Sequence, residues 1–281
     1  MGTVQKGTLY VCATPIGNLG DITLRVLEVL REVDLIAAED TRHSRKLLDH
    51  FGISTPLTSY HEHNEKGKAQ ELVRKLHGGE AIALISDAGM PGISDPGKEV
   101  IQLCLDEEIP VDVLPGANAG LTALILSGMP NEHFLFHGFL PSHSNSRKKE
   151  LAGYAHLPFT QIFYEAPHRL VDTLEDLLEV FGDREVAVVR EITKLHQNVH
   201  KGNLIQLLEE FKLNSPRGEI CLLTAPYIEP LPTGGPVEWR QEVEGLVQHG
   251  MKPNDAMRQV GKKYGVSKRE IYQTLLSDKE D

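Results

Sequence analysis

Short apolar runs alternate with stretches of helical periodicity from residue 9 to residue 224, and few architectures accommodate that order. Leu9 to Ala13 reads as a buried strand, and Asp21 as the cap of a helix through Val33, with Leu24, Leu27, Leu30 and Val33 on one face. Strand Leu35 to Ala38 follows, then a helix from Thr41 to Phe51 stopped by Gly52. A further helix runs from Lys68 to His77 and ends at Gly78-Gly79, ahead of strand Ala81 to Ser86. Beyond the loop Asp87 to Gly97 come a helix from Lys98, strand Val111 to Leu114 and a helix after Pro115-Gly116. This alternation predicts a mostly parallel sheet covered on both faces.

Pro130-Asn131 breaks the pattern, which restarts at Phe134-Leu135-Phe136 with a basic polar helix behind it. Strand Gln161 to Tyr164, helix Arg169 to Phe181, strand Val186 to Val189, a turn near Gly202, helix Leu204 to Phe211 and strand Ile220 to Thr224 complete a second α/β unit. Tyr227 to Pro236, with Pro230, Pro232, Gly234 and Gly235, reads as a linker, and the remainder as helical. The expected division is therefore 1–130 and 131–227 as two α/β domains, 228–238 as linker and 239–281 as a helical module.

Composition limits what such a fold can do. The formal charge of −11 argues against coating nucleic acid by bulk electrostatics, though local basic patches remain open. Cys12, Cys104 and Cys221 are odd in number and lie in apolar runs, so they read as small buried hydrophobes in a reducing compartment. Met1 to Lys6 has no apolar signal core, and the apolar runs fall far short of the ~20 residues that span a bilayer, so a cytosolic protein is expected.

The strongest chemical signal is the loop Ser86 to Gly97, which leaves the end of an apolar strand, where open α/β sheets place ligands. Gly89, Gly92 and Gly97 permit close backbone approach, Pro91 and Pro96 stiffen the loop, and Asp87 and Asp95 are able to accept from ligand hydroxyls or an amine. A structural loop with Asx turns is the plainer reading, but that composition is wasteful for a connector. No GxxxxGK[ST] occurs, and Thr14 to Asp21 does not have the dinucleotide spacing. In Glu39 to Lys46, acidic residues end a strand and Arg42, Arg45 and Lys46 oppose the dipole of the next helix, which favours phosphate contact. Tyr164 to Arg169 sits at another strand end; His168 is read as a polar helix-start residue. His61-x-His63 and His196-x3-His200 have ligand spacing but no placed partner, so no metal is expected.

These segments together resemble the tetrapyrrole methylase superfamily, and within it the bacterial branch that methylates a ribose 2′-hydroxyl of ribosomal RNA. The matching stretches are Ala13 to Asp21, Ala38 to Arg42, Ser86 to Gly97, Leu114 to Ala119, His137 to Pro141, Tyr164 to Arg169, Arg190 to Lys194 and Gly218 to Ile220. The resemblance implies a two-domain α/β tetrapyrrole-methylase-like fold whose second domain closes a cleft for S-adenosylmethionine. Carried over, the donor contacts are Pro15, Asp87, Gly89, Met90, Ser94, Pro115, Gly116, Ala119, Tyr164, Glu165 and Ala166. The implied substrate is a cytidine ribose in the decoding centre of 16S ribosomal RNA in the small ribosomal subunit, and the implied assembly a homodimer. A ribose hydroxyl needs its proton accepted or its developing charge stabilised. Glu39, Asp40 and Glu191 are candidate acceptors, and Arg42, Arg169 and Lys194 candidate stabilisers, among which the sequence does not choose.

Two competing readings are a corrin or porphyrin methylase, which shares the fold, and a helix-turn-helix DNA-binding regulator. The basic helix Arg147-Lys148-Lys149 and the C-terminal extension favour RNA over a planar ring, and the acidic body disfavours the regulator. In the extension, Pro253-Asn254-Asp255 starts a helix, Gly265 stops it, and Ser267 with Glu270 forms a capping box for the next, a helix-turn-helix-like pattern. From Met251 to Leu276 six cations face two acids, a local +4 that fits an RNA grip or, more plainly, the solvated face of a packing module.

Overall fold

A computed structural model of the chain describes residues 4–214, 216–229 and 231–277; Met1 to Thr3 of the amino-terminal stretch and Pro230 of the linker lie outside them. The chain forms two compact units that divide between Tyr227 and Ile228.

The first unit holds two sheets. Strands β1 (Leu9–Cys12), β2 (Leu35–Ala38), β3 (Leu57–Ser59), β4 (Ile82–Ile85) and β5 (Val111–Leu114) form one, in the order β3-β2-β4-β1-β5. Every pairing in it is parallel. Alternate strand residues feed opposite cores. Tyr10, Cys12, Ile36 and Ile85 pack with helices α1 (Leu24–Glu32) and α2 (Thr41–His50). Leu9, Val11, Ala37 and Leu84 pack with α3 (Glu65–His77) and α4 (Lys98–Asp106). Adjacent strands β1 and β4 thus send their chains to opposite faces, which opens a crevice at their carboxyl ends. The cap of α1 is Thr23, whose hydroxyl accepts from Val26 N at 3.2 Å, while Asp21 belongs to a preceding 3-10 turn. Leu24 is correspondingly 79% exposed instead of part of the buried face.

Helix α5 (Ala119–Ser127) leaves β5 but packs on the second sheet, through Ala123 and Leu124 against Ile162, Ala187, Val189 and Leu223. That sheet runs β6-β7-β10-β8-β9, with β6 (Phe134–Phe139), β7 (Thr160–Glu165), β8 (Glu185–Arg190), β9 (Asn198–Asn203) and β10 (Ile220–Thr224). Only β6 and β7 are parallel; the other pairings are antiparallel. Helices α6 (Ser144–Ala152), α7 (Leu170–Phe181) and α8 (Leu204–Leu213) cover its other face around Phe163, Val188 and Leu222.

The basic patch expected on α6 is largely spent on this packing. The Arg147 side chain is 2% exposed with Nε 2.6 Å from Asp176 Oδ2, and Lys148 Nζ lies 2.5 Å from Glu179 Oε2. Two of those three cations hold α6 to α7; Lys149 is exposed.

The second unit consists of α9 (Pro236–Gln248), α10 (Pro253–Tyr264) and α11 (Lys268–Ser277) around Val243, Ala256, Met257, Val260 and Ile271. Ser267 Oγ accepts from Glu270 N at 3.2 Å and Glu270 Oε2 from Ser267 N at 2.7 Å, the reciprocal box expected before α11. No helix among the described residues is long and apolar enough to cross a membrane.

Candidate active site

The loops at the carboxyl ends of β1, β2, β4 and β5 are tied to one another by short-range chemistry. Thr14 and Gly89 exchange backbone hydrogen bonds of 2.8 and 3.1 Å, and the Thr14 hydroxyl donates to Ser86 O at 3.1 Å. Asp40 N donates to Asp87 Oδ1 at 3.1 Å, and Asp87 N to Glu39 Oε2 at 3.4 Å. At Gly116 a Cβ would meet that of Ala13 at 2.7 Å, so the Pro-Gly turn lies directly on the end of β1. Asn118 caps α5 by accepting from Leu121 N at 2.9 Å.

The second sheet supplies the facing wall. The Glu165 carboxylate is buried and turned inward: Oε1 accepts from Ala166 N at 2.7 Å, and Oε2 from the Thr173 hydroxyl at 2.5 Å. Arg169 stands 3.3 Å from Glu165 and donates to the carbonyls of Leu140 and Pro141 at 2.8 and 3.0 Å. Its guanidinium therefore fixes the β6–α6 connection, a structural use that its position in sequence does not reveal.

The loop after β8 crosses to the first half. Glu191 and Thr193 hold φ of 51° and 65°, a left-handed backbone that costs non-glycine residues on the order of 1–3 kcal/mol each. Glu191 Oε1 repays this by accepting from Glu219 N at 2.9 Å and Lys194 Nζ at 3.0 Å. Gly218 lies directly beneath it at a φ of 81°, which strains any other residue, and a Cβ there would also displace the Glu191 carboxylate. The Lys194 stem lies over Gly17, where a Cβ would meet Lys194 Cγ at 2.6 Å.

Between these walls is a cavity of about 570 Å³, within the ordinary range for small-molecule sites. Of the residues expected to act, Glu39, Asp87, Gly89, Met90, Ser94, Ala119, Tyr164, Glu165, Ala166, Glu191 and Lys194 line it. Gly116 lines a smaller neighbouring pocket, whereas Pro15, Asp40, Arg42, Pro115 and Arg169 line neither. The structure adds Ile16, Ile93, Asp95, Asn118, Phe139, Ile192 and Glu219. Asn118 carried a helix-cap signal in the sequence and Asp95 a loop signal; the apolar walls carried none, because a strand-end isoleucine looks the same in a core.

The cavity is acidic. Burial, then the charges of Glu39 and Asp87, push Asp95 up to about 6. Burial also raises Glu39. Hydrogen bonds from Arg42 take Asp40 down to about 2 outside the cavity, and the Arg42 side chain is 89% exposed. Burial alone would lower Lys194, but Glu191 and Glu219 hold it above its ordinary value, so it stays cationic. Among the described residues no group of three or more His, Cys, Asp or Glu is arranged to hold a metal.

The model of the tetrapyrrole (corrin/porphyrin) methylases matches residues 8–208. The chain belongs to that family. The chain is 46% identical over 272 residues to ribosomal RNA small subunit methyltransferase I of Synechocystis sp., with 96% of the chain and 98% of that protein aligned. It is 41% identical over 276 residues to the protein of the same name from Bacillus subtilis, covering 96% and 94%. The fold is also that of the methyltransferase CobJ, with a TM-score of 0.60, 19% identity and 82% and 97% coverage. Uroporphyrin-III C-methyl transferase from Thermus thermophilus, solved with S-adenyl homocysteine, shares it at a TM-score of 0.56, 19% identity and 77% and 96% coverage.

Proposed function

We propose that this methylase transfers a methyl group from S-adenosylmethionine to the 2′-oxygen of a cytidine ribose in the decoding centre of 16S ribosomal RNA, within the small ribosomal subunit in the cytoplasm. The observation that carries this reading is the identity to proteins named for ribosomal RNA, which extends over 96% of the chain while the family model stops at residue 208.

The cavity suits the donor. Ile16, Ile93, Ile192 and Phe139 offer apolar walls for a flat base, and Asp87 offers an acceptor for hydroxyls or an ammonium group. Gly89 and Met90 from the loop after β4, Ala119 from α5, Tyr164 from the end of β7 and Ala166 just after it would hold it. Pro15, Pro115 and Gly116 would act by shaping the two loops, and Glu165 by fixing the corner after β7. When bound, the donor supplies a methyl group on a sulfonium sulfur, already activated for displacement. The protein must then orient an acceptor, exclude water and manage one proton. Lys194, anchored by Glu191 and Glu219, is the cation of the cavity lining and is the stabiliser for charge growing on the acceptor oxygen.

Two surfaces suit RNA. Arg42, Arg45 and Lys46 share the exposed face of α2, opposite its buried Ser44 and Leu48, and α2 begins one turn from cavity-lining Glu39. In the second unit, Lys252, Lys262, Lys268 and Arg269 are exposed and, among the described residues, without ion pairs. A homodimer accounts for a third surface. Helix α5 is apolar all round, and Leu121, Ile125 and Leu126 remain 50%, 68% and 36% exposed; Phe134 and Phe136 on the edge strand β6 are exposed as well.

The test is transfer of labelled methyl to three acceptors: unmodified small subunits, free 16S RNA and uroporphyrinogen. Label on subunits or RNA is expected; label on the ring alone would return the chain to the tetrapyrrole reading.

A further inference from the structure

A hydroxyl that becomes a methyl ether gains an oxygen–carbon bond as the carbon–sulfur pair returns to sulfur, and it must shed one proton. A protein group positioned to receive that proton speeds the transfer, and the carboxylates of the cavity are not equally free to do so. Glu165 is saturated by Ala166 N, Thr173 and Arg169. Glu191 is held by Glu219 N and Lys194, and Glu219 itself pairs with Lys194 at 3.2 Å. Asp87 Oδ1 takes the Asp40 amide and Glu39 Oε2 the Asp87 amide, which leaves each one oxygen, whereas among the described residues neither a backbone amide nor a cation bonds the Asp95 carboxylate. Lys194 is charged and has no lone pair to offer.

We propose that Asp95 is the catalytic base that takes the proton of the acceptor hydroxyl; this rests on the methyltransferase reading above. Asp95 lines the cavity. Its backbone is fixed from both sides. Ser94 before it holds a left-handed φ of 62°, and Gly97 after it donates to Glu65 Oε1 at 3.0 Å, an oxygen that also accepts from the Tyr60 hydroxyl at 3.1 Å. A rigid seat of this kind is what a proton acceptor requires.

The groups around Asp95 set its working range. Glu39 at the end of β2 and Asp87 after β4 repel its charge, Ser86 stabilises it, Tyr164 on β7 faces it, and Lys194 lies on the same lining. With burial first among the causes, it titrates at about 6. Above that pH the carboxylate is ionised and accepts; below it the carboxyl is protonated and does not. A base poised near neutrality is the efficient arrangement, and one positioned base contributes about 10²–10⁴-fold.

The experiment combines calorimetry of S-adenosylmethionine binding at pH 7.5 with single-turnover methylation of unmodified small subunits from pH 5 to 8, for wild type, Asp95→Asn, Asp95→Glu and Glu39→Gln. The expected result is donor affinity within about threefold of wild type for Asp95→Asn, a rate lower by about 10²–10⁴-fold, and loss of the acid limb near pH 6. Asp95→Glu should recover part of the rate with a shifted limb. An Asp95→Asn enzyme that keeps rate and limb overturns the proposal, as does a limb that disappears only in Glu39→Gln. Donor affinity that falls in step with rate makes Asp95 a donor ligand and overturns it too. A wild-type protein that binds donor but methylates no ribose overturns the functional reading beneath it.

Discussion

Replacing Arg147 by alanine separates a structural cation from an RNA-binding one. In the native fold the Arg147 side chain is 2% exposed and Asp176 7%, with Nε and Oδ2 2.6 Å apart. Arg147 also donates to the carbonyls of Pro141 and Ser142 at 3.3 Å. Truncation leaves Asp176 charged in an apolar setting, which costs about 3–5 kcal/mol when nothing replaces the partner. Ser144 still donates to Asp176 Oδ1 at 2.8 Å, and Lys148 Nζ stands 3.6 Å away, so the lower end, about 3 kcal/mol, is expected. At about 2–4 °C per kcal/mol for a unit of this size, that is a fall in Tm of roughly 6–12 °C. Urea unfolding followed by far-UV circular dichroism measures it. The pair Arg147→Met with Asp176→Leu should recover most of the loss, because both charges then leave together. A loss below about 1 kcal/mol for Arg147→Ala, accompanied by weaker RNA binding, would refute the argument and restore α6 as an RNA surface.

Asp87→Ala should weaken S-adenosylmethionine binding by roughly 10- to 150-fold in calorimetry while the fold survives, since one hydrogen bond to a charged group is worth about 1.5–3 kcal/mol; unchanged affinity removes Asp87 from the donor site. Substituting alanine for Arg42, Arg45 and Lys46 together should leave Tm near wild type and lower the salt slope of subunit binding by up to about 3, one for each lost phosphate contact. An unchanged slope makes those cations a solvated face. Ending the chain after Tyr227, where the two compact units divide, should spare donor binding and weaken binding to the small subunit; an unchanged KM for subunits would deny the C-terminal helices a role in grip. Asp95→Asn should stabilise the fold at pH 8. A carboxyl titrating at about 6, above its ordinary 3.8, penalises the native state most above pH 6, and the penalty fades as pH falls toward 4. After allowance for solvent screening the gain is about 1 kcal/mol, and a Tm that is lower than wild type at pH 8 would contradict it.

The buried strands were readable because burial on both faces writes itself as continuous apolar runs, as in β1, β4 and β10. Strands β3 and β9 were not. The first has three residues, and the second, Asn198–Asn203, is an edge strand whose mostly exposed polar residues imitate a loop. The largely antiparallel pairing of the second sheet was equally hidden, since the strand runs of the two sheets look alike and register belongs to tertiary contacts. At the site, the glycine- and proline-rich loops announced themselves by composition. The roles of individual charges did not. Arg147 looks like a solvated cation until Asp176, 29 residues away, closes over it. Arg169 and Glu165 look like free charges until the hydrogen bonds that hold them are known. Asp95 is indistinguishable from Asp87 in the same loop until the partner of each carboxylate is known.

The claim that this cleft methylates a ribose oxygen is tested most directly by the chemistry of the product. Small subunits labelled by the enzyme are extracted and their 16S RNA is hydrolysed in alkali, which needs a free 2′-hydroxyl to cut the chain. The label should survive in a single alkali-resistant dinucleotide that begins with cytidine. Label recovered as mononucleotide would place the methyl group on a base and contradict the account.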